Sequence, residues 1–174
     1  MEQLYLDRNE VRTVSKGWLY GVKRLKQLSL AYNKVDFIED DGWEFCTNLW
    51  QLDLRGNLIK IVSREILLNL PSLTNLDMGE NLISHIEAEG TFDQVPRLRV
   101  LTLDGNQISH TIEDTPSTFK VLKDLRNLTL AANHIKSVGR NALTGLHHLE
   151  YLDLSNNVIS TIQVCEHLNF GKNI

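Results

Sequence analysis

Leu25-Lys-Gln-Leu-Ser-Leu-Ala-Tyr-Asn33 is written again 24 residues later as Leu49-Trp-Gln-Leu-Asp-Leu-Arg-Gly-Asn57. In general form, Leu-x-x-Leu-x-Leu-x-x-Asn, the phrase occurs seven times, ending at Asn9, Asn33, Asn57, Asn81, Asn106, Asn133 and Asn157. The steps between these asparagines are 24, 24, 24, 25, 27 and 24 residues. So regular a period predicts a stack of coils, each unable to bury its apolar side except against its neighbours.

Within each phrase the x-Leu-x-Leu-x segment alternates apolar and polar residues, which is strand periodicity with one face buried. Two residues after each Asn stands another aliphatic, from Val11 and Val35 to Ile135 and Ile159. A further set, including Val14, Ile38, Val62, Ile86 and Val138, turns the chain inward on its return. A third, including Cys46, Leu70, Val95, Leu122 and Leu146, precedes the next strand. This pattern resembles the leucine-rich repeat. It implies an α/β-type solenoid, a horseshoe of about seven coils with a parallel β-sheet on the concave face. The return segments carry no long helical period, so turns and short helical pieces are expected on the convex face. With strands about 4.8 Å apart the sheet should span roughly 30 Å. The array is expected over residues 1–162, with 163–174 a divergent tail in which the pattern lapses.

The asparagine is the polar exception in an apolar interior. Its side chain carries an acceptor and two donors. Stacked asparagines can therefore satisfy backbone groups in the bend after each strand, from one coil to the next. The ladder Asn9, Asn33, Asn57, Asn81, Asn106, Asn133 and Asn157 is read as structural.

Bulk properties narrow the functional classes. Of 174 residues 42% are hydrophobic and 23% charged, and the formal net charge is -4. The basic residues are scattered, so nucleic acid is not an expected partner. No stretch approaches the roughly 20 apolar residues of a membrane span, and no direct membrane contact is expected. The start, Met1-Glu2-Gln3-Leu4, lacks the apolar core of a signal peptide and opens inside a repeat. The chain is therefore expected to be a piece of a longer protein, with both ends of its core open. Two cysteines, Cys46 and Cys165, build neither a disulfide framework nor a zinc spacing. Cys46 falls in a core slot and should act as a small hydrophobe. Phosphate-binding glycine loops, His-Glu-x-x-His and Gly-x-Ser-x-Gly are missing, so no catalytic residue, cofactor or metal is assigned. His85 and His110 share one slot in adjacent coils, and His147 and His148 precede the last strand. They lack the three or four convergent ligands that a metal requires and are read as surface histidines.

Two segments break the generic repeat. The longest step, 27 residues, contains Thr111-Ile-Glu-Asp-Thr115, and Gly42-Trp-Glu-Phe-Cys46 precedes the third strand. Both resemble the ectodomain repeats of the family of membrane glycoproteins with leucine-rich repeats and immunoglobulin-like domains. The resemblance covers most of residues 1–162, and Ile135-Lys-Ser-Val138 and Leu149-Glu150 extend it. It implies the extracellular part of a plasma-membrane protein that associates with growth-factor receptors and modulates their signalling. The signal peptide, disulfide-bonded caps, immunoglobulin-like domains and membrane span of that family are not in this sequence.

The concave strand positions are the candidate protein-binding site. One outward column holds Gln3, Gln27, Gln51, Asn75, Val100, Asn127 and Tyr151. The next holds Tyr5, Ser29, Asp53, Asp77, Thr102, Thr129 and Asp153. A third holds Asp7, Ala31, Arg55, Gly79, Asp104, Ala131 and Ser155. Small polar groups with scattered tyrosines and acids suit a wet protein contact, although any exposed strand face is polar. Trp50 stands out because its slot otherwise holds Glu2, Lys26, Thr74, Arg99, Arg126 and Glu150. It is either a contact residue, as tryptophan often is at binding hot spots, or it lies flat on its neighbours' stems. Trp18 and Trp43 fall near the core and are read as packing residues. Asn127-Leu-Thr129 is the single glycosylation sequon. A glycan there would block part of the proposed contact. The expected function is thus a non-catalytic protein-recognition module acting on a growth-factor receptor ectodomain. Two other classes compete with it: an adhesion or receptor ectodomain that captures a secreted ligand, and a substrate-recognition subunit of a cytosolic complex.

Overall fold

The computed structural model describes residues 1–87, 90–109 and 118–163. Seven three-residue strands, Gln3–Tyr5, Gln27–Ser29, Gln51–Asp53, Asn75–Asp77, Val100–Thr102, Asn127–Thr129 and Tyr151–Asp153, form one parallel sheet in chain order. Each strand with the return segment after it makes one coil. The register is exact from coil to coil: Leu4 pairs with Leu28, Leu28 with Leu52, and so on through Leu76, Leu101, Leu128 and Leu152. Sequence period and spatial period therefore coincide, and every repeated leucine meets its own counterpart. Leu28, Leu52, Leu76, Leu101 and Leu128 are all buried, as are Val35, Ile59, Ile83, Ile108 and Ile135 behind them. In the first and last coils the equivalents Leu4, Leu152, Val11 and Ile159 are only partly covered.

The asparagine ladder is formed as expected. Asn57 Nδ2 donates to the carbonyl of Leu30 in the coil before (3.0 Å) and to that of Leu54 in its own (2.9 Å). Its Oδ1 accepts the Val35 N–H at 2.8 Å. The same three bonds recur at Asn33, Asn81, Asn106, Asn133 and Asn157. Asn9, in the first described coil, donates to the Leu6 and Asp7 carbonyls of its own turn and is exposed. The residue just before each asparagine holds a left-handed backbone in all seven coils, with φ between 51° and 68° at Arg8, Tyr32, Gly56, Glu80, Gly105, Ala132 and Asn156. Glycine adopts this without strain, and the others bear a modest penalty. At Gly56 the neighbour also matters, because a Cβ there would lie 2.4 Å from the Tyr32 ring.

Among the described residues the return segments are turns, with one 3-10 piece at Glu65–Leu67. They add a second set of ladders that the repeat phrase does not announce. Thr13–Val14 pairs with Phe37–Ile38, Ile61–Val62 with His85–Ile86, and Ser137–Val138 with Thr161–Ile162. In the paired strands of the first four coils and at Val138, the second residue is buried and closes the far wall of the core. Ten residues after its ladder asparagine, each of the first three coils buries one large side chain, Leu19, Trp43 or Leu67, and Phe92, Phe119 and Leu143 fill the slot further on. Trp43 is the largest of them and is fully buried, its indole N–H donating to the Ile66 carbonyl of the next coil at 2.8 Å. Glycine must precede it: a Cβ on Gly42 would lie 2.8 Å from the Val14 carbonyl oxygen. Trp18 lies half-buried against the core. Cys46 is buried, and loss of hydration pushes its thiol up to about 11, so it packs as a neutral side chain. His110, the run Thr111 to Thr115, Cys165 and the tail from 164 onward lie outside the described residues.

Candidate functional site

The strands place the expected columns side by side, because parallel in-register pairing stacks equivalent residues about 4.8 Å apart. In the first column Gln3 donates its side-chain amide to Gln27, and Gln27 donates to Gln51 at 2.8 Å. These glutamines form a short side-chain ladder parallel to the backbone one. Tyr5 and Tyr151, at the two ends of the sheet, expose 61% and 52% of their surface. They are the freest of the aromatic candidates.

The middle of the sheet is more ordered than a generic polar surface. Arg55 reaches from the third coil over Gly79 of the fourth to Asp104 of the fifth. Its guanidinium donates twice to the Asp104 carboxylate, at 3.3 and 2.9 Å, and once to Glu80 at 2.7 Å. Asp77 lies 3.7 Å away as a further partner. The Asp104 and Glu80 bonds hold the guanidinium firmly in its charged form. The crossing uses the room left by Gly79, where a Cβ would lie 2.5 Å from Arg55 Nη1 and push the guanidinium aside. Arg55 is thus a clamp across three coils rather than a free cation awaiting a partner.

Beside the clamp lies a pit of about 160 Å³, lined by Gln51, Asp53, Asn75, Asp77, Val100 and Thr102 above the buried Leu52 and Leu76. All six belong to the first two expected columns. Asp53 and Asp77 each accept the N–H two residues ahead, from Arg55 (2.9 Å) and Gly79 (2.8 Å). Asp153 does the same for Ser155 at 2.9 Å. These aspartates therefore fix the end of the strand as well as presenting charge. Burial raises the Asp77 carboxyl above its ordinary value, aided by the negative charges of Asp53 and Asp104 and opposed by the Gly79 N–H and Arg55.

Two expected column members are corrected. Ser29 and Ala31 keep their column positions but are buried rather than exposed, because the Asp7 carboxylate folds over them and accepts from the Ser29 hydroxyl and the Ala31 N–H. Thr129 is half-buried, its hydroxyl oxygen enclosed without a partner. Asn127 is half-buried in the sheet, paired in register with Val100 on one side and Tyr151 on the other. Trp50 exposes 37% of its surface on the lead-in to the third strand. Thr74 apart, its column otherwise holds charges, and two pairs of them are tied coil to coil, Glu2 to Lys26 at 3.0 Å and Arg126 to Glu150 at 2.7 Å. Glu80 was not among the candidates; it sits in the left-handed position before Asn81, and only the reach of Arg55 reveals its role.

Among the described residues no group of three or more acidic, histidine or cysteine side chains is arranged to hold a metal, and no helix is long and apolar enough to cross a membrane.

Comparison with known proteins agrees with this architecture. Residues 1–59, 52–108 and 116–169 match the leucine rich repeat family. The mouse leucine-rich repeat transmembrane protein FLRT2 is 31% identical over 159 residues, which is 90% of this chain and 23% of that protein. Bovine Toll-like receptor 3 is 31% identical over 144 residues, covering 78% of this chain and 16% of the receptor. The chain spans less than a quarter of the length of these relatives. Among solved structures, a Toll–Spatzle complex from Drosophila superposes with a TM-score of 0.74 at 25% identity over 94% of this chain and 26% of that one. A complex of TLR13 with single-stranded RNA gives a TM-score of 0.82 at 23% identity, over 94% of this chain and 23% of that one, a likeness of fold.

Proposed function

The chain belongs to the leucine rich repeat family, and on that premise we propose that it is a non-catalytic protein-recognition module whose concave sheet holds the partner. The observation that carries this is the pit of Gln51, Asp53, Asn75, Asp77, Val100 and Thr102, six half-exposed side chains from three successive strands. A wide, shallow, polar surface with aromatic side chains at its margins, here Tyr5, Trp50 and Tyr151, suits another protein rather than a small molecule. Gln27, Arg55, Asp104, Thr129 and Asp153 complete the face. We assign the module to the extracellular part of a plasma-membrane glycoprotein that associates with a growth-factor receptor ectodomain and modulates its signalling. The resemblance carried by Gly42–Cys46 and by Thr111 to Thr115 supports this assignment. A glycan on Asn127, in the same sheet, would block part of this contact.

The test is association of the chain with growth-factor receptor ectodomains, measured on immobilised receptor and by co-precipitation from cells. Trp50→Ala and Tyr151→Ala should each weaken it about tenfold or more while leaving the fold intact. Association that ignores every concave substitution would sink the surface assignment. A second reading, capture of a secreted ligand, is favoured by the likeness to Toll solved with Spatzle. Binding of a soluble ligand without receptor association would select it.

A further inference from the structure

The return-path ladders are not continuous. Between the first and second coils Lys34 N–H bonds to Val11, Asp36 N–H to Arg12 and Glu39 N–H to Val14, all at 2.9–3.1 Å. Between the third and fourth coils Leu82, Ser84 and Glu87 bond to Ile59, Lys60 and Val62 in the same way, each at 3.0 Å. Between the second and third coils the ladder stops after Leu58 N–H to Val35 at 2.9 Å. Phe37–Ile38 and Ile61–Val62 then belong to separate two-stranded sheets, and their facing edges do not pair. The coils rejoin where the Trp43 indole bonds to Ile66. A cleft of about 350 Å³ opens between these two closures, floored by Ile38, Ile59 and Ile66.

A second observation coincides with the break. Among the described residues, the first residue of each return strand forms an outward column of Thr13, Phe37, Ile61, His85, Ser137 and Thr161. Only the two flanking the cleft are large and apolar, and Phe37 exposes 59% and Ile61 44% of its surface. Charge gives a third. Asp36, Asp40, Glu65 and Glu87 line the cleft with a single base, Lys60.

We propose that this cleft seats an extended segment of a partner protein in which one aliphatic or aromatic side chain lies between basic residues. The apolar side chain enters between Phe37 and Ile61. The flanking cations meet the four carboxylates, and the segment's main chain bonds to the open edges of Phe37–Ile38 and Ile61–Val62, as in strand addition to a free sheet edge. The volume suits one large side chain and its backbone, being near the lower end of ligand-binding clefts, about 300 Å³. This site is separate from the concave sheet and does not rest on the function proposed for it.

The test titrates the isotope-labelled 174-residue chain with a synthetic peptide, Ser-Lys-Lys-Leu-Lys-Lys-Ser, following backbone amide shifts. Shifts should concentrate at Phe37, Ile38, Lys60, Ile61 and Ser63. Peptides with Leu replaced by Ser, or with every Lys replaced by Glu, should bind at least about tenfold more weakly. Phe37→Lys combined with Ile61→Lys should abolish the shifts, and Ile61→Ser, a milder change at an exposed site, should weaken them. Equal binding of either control peptide overturns the proposal, as do shifts confined to the concave strands or none at about millimolar peptide. A chain that self-associates through Phe37 and Ile61 in the absence of peptide also overturns it, by making a second copy the occupant.

Discussion

On their strand side the seven coils are joined by an unbroken parallel ladder, whereas on their return side the second and third coils part and leave a cleft. The same backbone, one turn further on, gives up its pairing. The difference lies in how each side is held. The strand side is over-determined: each coil contributes strand bonds, an asparagine bonded in three directions and a leucine packed on its own counterpart. Among the described residues the return side is held by turns, one 3-10 piece, two-residue pairings and one large side chain in each of the first six coils. A single change in that slot, Trp43 where other coils hold leucine or phenylalanine, coincides with the opening. Repetition builds the scaffold, and the lightly held side is free to vary.

The largest expected effect lies on the over-determined side. Asn57→Ala removes the acceptor for Val35 N–H and donors to two carbonyls, all buried. Each orphaned group costs about 1–3 kcal/mol, so a loss of roughly 3–5 kcal/mol is expected in urea unfolding. Asn9→Ala, at an exposed terminal coil, should cost well under about 1 kcal/mol. Equal costs would mean that the ladder does not act through burial. On the return side, Phe37→Ser should change stability by less than about 0.5 kcal/mol, since its side chain is exposed.

Trp43 tests the comparison where the two sides meet. Trp43→Phe installs the residue found at Phe92 and Phe119, removes the bond to Ile66 and leaves a small void. A loss of about 2 kcal/mol is expected. If the indole holds the cleft open, the amide N–H groups of Lys60 and Ser63 should exchange more slowly in this variant. Faster or unchanged exchange would break the link between the indole and the cleft. Gly42→Ala should cost about 1–3 kcal/mol by forcing the return segment off the Val14 carbonyl.

The sheet, its register, the asparagine ladder and the buried positions could be read from the sequence because each is repeated, so every coil testifies to the others. Gln51, Asp53, Asn75, Asp77 and Thr102 were legible as a shared face for the same reason, alternation on in-register strands. What one coil does alone was not. Arg55 was legible only as one member of an outward column, and its reach over Gly79 to Asp104 makes it a clamp. Ser29 and Ala31 looked exposed because periodicity does not show that Asp7 folds over them. The left-handed position before each asparagine was hidden because only Gly56 and Gly105 declare it, while Arg8, Tyr32, Glu80, Ala132 and Asn156 adopt it against their preference. The broken return ladder left no periodic trace, although Phe37 and Ile61 in a column otherwise of threonine, histidine and serine were a visible sign of it.

A smaller effect separates scaffold from surface within the sheet itself. Arg55→Ala removes a two-point ion pair across three coils, with the Arg55 side chain one-quarter exposed. A cost of about 1 kcal/mol is expected, shrinking as salt is added. A salt-independent cost would assign the loss to packing over Gly79 instead.

The smallest effect is the most discriminating, because two aspartates of one column should respond to pH with opposite sign. Asp77 is half-buried beside Asp53, and the loss of hydration raises its carboxyl above the ordinary value. The unfolded chain then ionises at lower pH than the folded one, so this group's contribution to stability declines as pH rises through the carboxylate range. Asp153, half-exposed on the last strand of the sheet, is lowered by the Ser155 N–H. Its contribution is present above that range and is lost on acidification. Asparagine can still accept the N–H two residues ahead. Asp77→Asn should therefore shift the urea midpoint slightly upward at neutral pH and leave it unchanged in acid, well below the ordinary carboxylate value. Asp153→Asn should shift it slightly downward at neutral pH and not in acid. If Asp77→Asn instead lowers the midpoint at neutral pH, attraction to Arg55 outweighs desolvation, and the pit is one more part of the clamp. If it raises the midpoint, the fold keeps a charge there at a cost to its own stability, as expected of a residue retained for a partner.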